Sequence, residues 1–143
     1  MLFKRISRSS AETVFVVVQN VSGSTLTAGY SCVFDVGASV NGVRVTQASS
    51  TDLNAYAGVA DADIADSGYG LVQAYGYRSS IFIYASAGSS VSGDDLVVVA
   101  DQWGPTPATA QGAQKAFGFL CEAVAASSSS QYTTTAKAFV RAL

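Results

Sequence analysis

Hydrophobic positions in this chain fall in short runs separated by Gly, Ser, Asn and Asp, and the runs carry the period of strands rather than of helices. Residues 13–19 (TVFVVVQ) are continuous and mostly β-branched, which predicts a strand buried on both faces. Residues 20–24 (NVSGS) supply turn chemistry, and residues 26–36 read as a second strand with a break at Gly29. Val43, Val45 and Gln47 alternate with Arg44 and Thr46, as a half-exposed strand does. Residues 56–60 and 70–77 form a central hairpin around an acidic, Gly-bearing turn, with Leu71, Gln73, Tyr75 and Tyr77 on one face. Residues 79–85 (SSIFIYA) and 96–100 (LVVVA) are further strands on either side of a Gly/Ser loop. Trp103, Pro105 and Pro107 mark residues 101–114 as an ordered excursion over the surface, because Pro fixes φ and a lone Trp packs.

Residues 116–126 and 132–143 flank a Ser run at 127–130 and read as a closing hairpin. The Ala and Leu content of the first also suits a helix. Alternation of Phe117, Phe119, Cys121 and Ala123 with Gly118, Leu120, Glu122 and Val124 favours strand. Eight or nine strands without an amphipathic helix longer than two turns predict an all-β, single-domain antiparallel β-barrel or β-sandwich over residues 13–143. Residues 1–12, polar and basic without a period, read as an N-terminal arm that a partner would order.

Charge changes this picture. Charged residues are 13 % of the chain, about half the usual share of roughly 25 %. A surface so rich in Ser, Thr, Ala and Gly suggests an interface-bearing subunit rather than a free monomer. The charge is also unevenly placed: +2 over residues 1–12, none over 13–34, −6 over 35–101 and +2 over 102–143. Acidic middle and basic ends suit either contact between subunits or solvated loops. Lys4, Arg5 and Arg8 are too few to argue for nucleic acid, and no stretch approaches the roughly 18 apolar residues of a membrane span. The two cysteines, Cys32 and Cys121, lie in apolar surroundings without paired spacing. They read as buried free thiols, with a disulfide open only if their strands are neighbours, and fit folding in a reducing cytoplasm.

Histidine is absent, which removes Ser-His-Asp and Cys-His nucleophile arrangements and His-based metal sites. No phosphate-binding or dinucleotide loop is present; the glycines of GYGLVQAYG precede a strand, not a helix. Asp61, Asp63 and Asp66 would suit Ca²⁺ by residue type, but the spacing lacks the Gly and Glu of an EF-hand, and solvated turns are the better account of them. Asp94 and Asp95 form a weaker pair of the same kind. Tyr69, Tyr75, Tyr77 and Trp103 could line a glycan cleft, but a core or an interface is the better account of them, since aromatic side chains dominate buried contacts. The expectation is a chain without catalytic residues, metal or cofactor.

Several pieces, in order, resemble a family. They are QNVSGSTLTAGYSCVFDV (residues 19–36), AGVADADIADSGYGLVQAYGYRS (57–79), VSGDDLVV (91–98), and AFGFLCEAVAA followed by KAFVRAL. Their order resembles the small capsid decoration (cement) proteins of tailed bacteriophages, with Cys121 a departure within the last G-x-A-L-E-A-like strand. The resemblance implies a non-enzymatic β subunit, commonly trimeric, on the outer capsid surface after assembly in the host cytoplasm. Its implied partners are the major capsid protein and further copies of itself. On this reading Lys4, Arg5 and Arg8 of the arm touch the capsid, and Tyr75, Tyr77 and Arg78 lie at or near a subunit contact.

Overall fold

The computed structural model describes residues 12–37, 42–86, 89–108, 115–125 and 131–142, and every regular element among them is a strand. The strands are β1 (Val14–Asn20), β2 (Ser31–Phe34), β3 (Arg44–Thr46), β4 (Tyr56–Ala60), β5 (Tyr69–Ser86), β6 (Asp95–Val97), β7 (Thr106–Pro107), β8 (Gly118–Leu120) and β9 (Gln131–Arg141). They form one sheet in the order β1-β3-β2-β4-β5-β9-β8-β6-β7, and β1 pairs with β5 as well. The strands β1, β3, β2, β4 and β5 therefore close on themselves, which removes most edges of that half. A hydrogen bond from Tyr84 N to Pro105 O (2.9 Å) brings the approach to β7 back to the far half of β5. The remaining strands thus curl toward a second ring, and β5 is the wall shared by both. All pairings are antiparallel except the short parallel contact of β1 with β3.

Two strands expected over residues 70–77 and 79–85 are one element of 18 residues. The intervening Gly76 and Arg78–Ser80 mark a bend rather than an end. Gly76 has φ +108°, and the β5–β9 register shifts between Arg78 and Ile81. An added Cβ at Gly76 would fall on the carbonyl oxygen of Glu12.

Folding the sheet over itself creates two cores. Val18, Leu26, Cys32, Val45, Ala57, Ala60, Ile64 and Val72 fill the first ring. Val33, Tyr56, Val59, Ile81, Ile83, Leu96, Leu120 and Val140 belong to the second. Strands β2 and β4 lie between them, sending Cys32, Ala57 and Ala60 to one side and Val33, Tyr56 and Val59 to the other. All five residues of β4 are consequently buried. Here the sequence expectation needs correcting: the strand covered on both faces is β4, not β1. Val16, Val18 and fully buried Asn20 are the inward residues of β1, whereas Phe15 is 40 % and Val17 61 % exposed. A β-branched run marks strand, but burial of its second face requires a second layer, and β1 has none among the described residues.

Other expectations are shortened. The strand over residues 26–36 is regular only at β2; Leu26 makes an isolated bridge to Ile64, and Gly29 turns with φ +85°. The closing hairpin is present as β8 against β9, in strand and not helix, with Gly118 opposite Val140; residues 127–130 lie outside the described residues. Trp103 stacks on Tyr30 at 5.6 Å between ring centroids, so the segment before β7 is packed as its composition predicts.

Candidate functional site

The bend of β5 concentrates the interior polar chemistry. Gln73 is 3 % exposed, and its Nε2 donates to the carbonyls of Tyr75 (3.3 Å), Gly76 (3.0 Å) and Tyr77 (3.1 Å). Its Oε1 accepts from Arg78 Nη1 at 3.4 Å. Arg78 also donates to Ser80 O through Nε (3.2 Å), to Ala60 O through Nη2 (2.8 Å) and to Asp61 Oδ1 through Nη1 (3.1 Å). The guanidinium thereby ties the end of β4 to the bend. Four acceptors inside its own chain occupy Arg78, whose side chain is 14 % exposed.

The acidic turn is spent in a similar way. Asp63 Oδ1 accepts from Ala28 N (2.8 Å), and Asp66 Oδ1 accepts from Gly23 N (2.9 Å). Buried Asn20 completes this clasp: its Nδ2 donates to Ser24 O (2.7 Å) and Ile64 O (2.8 Å), and its Oδ1 accepts from Ser22 N (3.0 Å). Of the three aspartates expected as either a Ca²⁺ site or plain turns, Asp63 and Asp66 thus fasten neighbouring loops and Asp61 accepts from Arg78 of β5. Among the described residues no group of three His, Cys, Asp or Glu side chains is placed to hold a metal ion.

Both cysteines are free thiols. Cys32 is buried in the first core, and burial pushes its thiol up to about 12. Cys121 is only half-buried, so the expectation that both thiols are buried holds for Cys32 alone. Desolvation and the neighbouring Glu122 push the Cys121 thiol above its ordinary value, opposite to an activated nucleophile. Glu122 accepts from Lys137 N (2.7 Å) and pairs with Lys137 Nζ (3.1 Å), which lowers the carboxyl and raises the ammonium.

What the interior leaves for function is the outer surface. Across the β1–β5 ladder Val17 faces Leu71 and Gln19 faces Tyr69. Phe15, Val17, Leu71 (45 % exposed) and Tyr69 (68 % exposed) make one apolar outer face. Neither β1 nor residues 69–77 of β5 carries a charge. Farther along β5, Tyr75 packs edge-on against Phe139 at 5.1 Å, and Phe139 stacks on Phe119 at 5.3 Å. Tyr77, opposite Phe139 in the ladder, stays 39 % exposed.

Of the residues singled out in the sequence, Tyr75 and Tyr77 therefore lie on this outer aromatic row, whereas Arg78 is engaged at the bend. Lys4, Arg5 and Arg8 lie outside the described residues. Phe15, Val17 and Leu71 are not singled out as surface residues by the sequence, and Tyr69 is so only as one of four aromatics open to a cleft, a core or an interface. The missed signal is the lack of any charge in a run that, if exposed, has nothing to keep another chain away.

No protein-family model matches the chain, and no curated protein matches it. Among solved structures it is similar to the N base of the head fibre gp8.5 of bacteriophage phi29, at 16 % identity and a TM-score of 0.53. The match covers 92 % of this chain and 96 % of the other. Identity this low with coverage this complete is a likeness of fold.

Proposed function

We propose that this chain is a non-enzymatic structural protein of a bacteriophage virion that sits on the outer surface of the capsid, binds the major capsid protein and stabilises the shell. The observation that carries this reading is the end-to-end likeness of fold to a phage head-fibre base, which agrees with the decoration-protein resemblance of the sequence. An uncharged outer face is the other support, because a small subunit repeated over a shell gains strength from many modest contacts. Copies of this chain associate with one another on this reading, and the basic segment bearing Lys4, Arg5 and Arg8 meets the capsid. A second reading, that the chain is the base of a projecting fibre, draws on the same likeness of fold.

Copy number per particle separates the two: hundreds for decoration, tens for a fibre base. The decisive test adds purified protein to heads lacking it, then measures saturable binding and resistance of the heads to heating. Heads that bind none of the protein and melt unchanged would sink both readings.

A further inference from the structure

One edge of β1 is largely unpaired among the described residues. β1 pairs with β5 along residues 14–19 on one side, but on the other it meets β3 only at Gln19 and Asn20. Gln19 N donates to Val43 O (2.9 Å), so its amide points away from β5. Ladder groups alternate direction, and the amides and carbonyls of Val17 and Phe15 therefore point to the same free side. Among the described residues no strand takes them. Residues 14–18 (VFVVV) contain neither Lys nor Pro to guard this edge, and the register shift at Val14/Phe15 puts its extra residue, Ala74, in β5 rather than in β1.

We propose that this edge pairs with the same edge of a second copy of the chain, antiparallel about a two-fold axis at Val16. In that register Phe15 of each copy faces Val17 of the other, and each such pair exchanges two N–H···O bonds. The two-fold register centred on Phe15 sets Val17 against Thr13, outside β1, and the one centred on Val17 brings Phe15 onto Gln19, whose amide Val43 O already holds. The charge pattern selects a second copy over a foreign strand. A two-fold contact sets this strand against itself, so a net charge on it would repel, and the chain is uncharged throughout residues 13–34. The outer row of Leu71 and Val17 then continues onto Phe15 of the partner. A contact of five residues per strand is smaller than a standard interface of roughly 1,600 Å², so this pair dissociates on dilution through the micromolar range.

The inference does not depend on the virion reading and is tested on the isolated full chain. Sedimentation velocity is expected to show a species of twice the 14.7 kDa chain mass that gives way to monomer on dilution. Amide exchange at Phe15 and Val17 is expected to quicken in step. V17K places a gatekeeper charge on an exposed position and is expected to weaken association at least about tenfold while leaving the melting temperature within ~2 °C. Three results overturn the proposal: a wild-type monomer at about 100 μM, a V17K protein that associates like wild type, or protection at Phe15 and Val17 that dilution does not change. The last would assign the edge to a contact within the same chain.

Discussion

Replacing Gln73 with Met is the sharpest test of what holds the β5 bend. Met keeps the length and most of the volume of the side chain but makes none of its hydrogen bonds. Two amide hydrogens shared among three carbonyls are lost, worth about 1 kcal/mol each, together with an acceptor for a charged guanidinium worth roughly 1.5 kcal/mol. Because Gln73 is 3 % exposed, water replaces little of this, and the expected cost is about 3–4 kcal/mol. At this chain length that is a fall of roughly 10 °C in melting temperature. Urea unfolding followed by far-UV circular dichroism, with Gln73→Ala and Arg78→Lys in a double-mutant cycle, separates packing from polar terms. Should Q73M unfold within about 0.5 kcal/mol of wild type, the amide does not hold the bend and the account given of β5 is wrong.

Gly76→Ala is expected to cost at least about 3 kcal/mol, since alanine at φ +108° is strained and its Cβ meets the Glu12 carbonyl; equal stability by urea unfolding would refute this. Cys32 is raised in the folded state, so its contribution is fully present below the ordinary thiol value of 9.0 and is lost as pH rises toward about 12. That window is worth about 4 kcal/mol at 1.36 kcal/mol per pH unit, and C32A should flatten stability between pH 9 and 10, with Tyr56, also raised by burial, adding to the decline above that. In the native protein a thiol reagent should modify Cys121 and spare Cys32 until unfolding; simultaneous reaction would contradict the packing of the first core. Replacing Lys4, Arg5 and Arg8 together with Ser should weaken binding to heads and reduce its salt dependence, and unchanged binding at low salt removes the arm from the contact.

Most of the strand pattern was legible because alternation and turn residues are local signals: residues 43–47, 56–60 and 118–120 all read correctly as strand. Layering was not legible. TVFVVVQ and YAGVA are both apolar runs, yet only the second is sandwiched, since burial of a second face depends on where β8 and β9, about sixty to eighty residues later, come to lie. The unity of β5 was hidden for a related reason. Gly76 and Ser79 look like punctuation, and only Gln73 and Arg78 bonding backbone around the corner turn a stop into a bend. The tyrosines at 75 and 77 are contact candidates through the family resemblance, and Tyr77 is indeed 39 % exposed. Phe15 and Val17 escaped because exposure there is a property of the sheet, not of the run.

The shared wall also sets how the molecule assembles in time. Neither ring owns β5, so neither can be cut away as an independent piece, and unfolding should be one transition reported alike by Trp103 and by the backbone. The second ring must wait for residues 131–141, which lie about fifty positions beyond the strand they complete. Contacts so distant along the chain place folding in the slow range of β proteins, milliseconds to seconds. Until β9 arrives, half of β5 has an open side on the ribosome, and that interval is when a nascent copy is most exposed to pairing with the wrong neighbour.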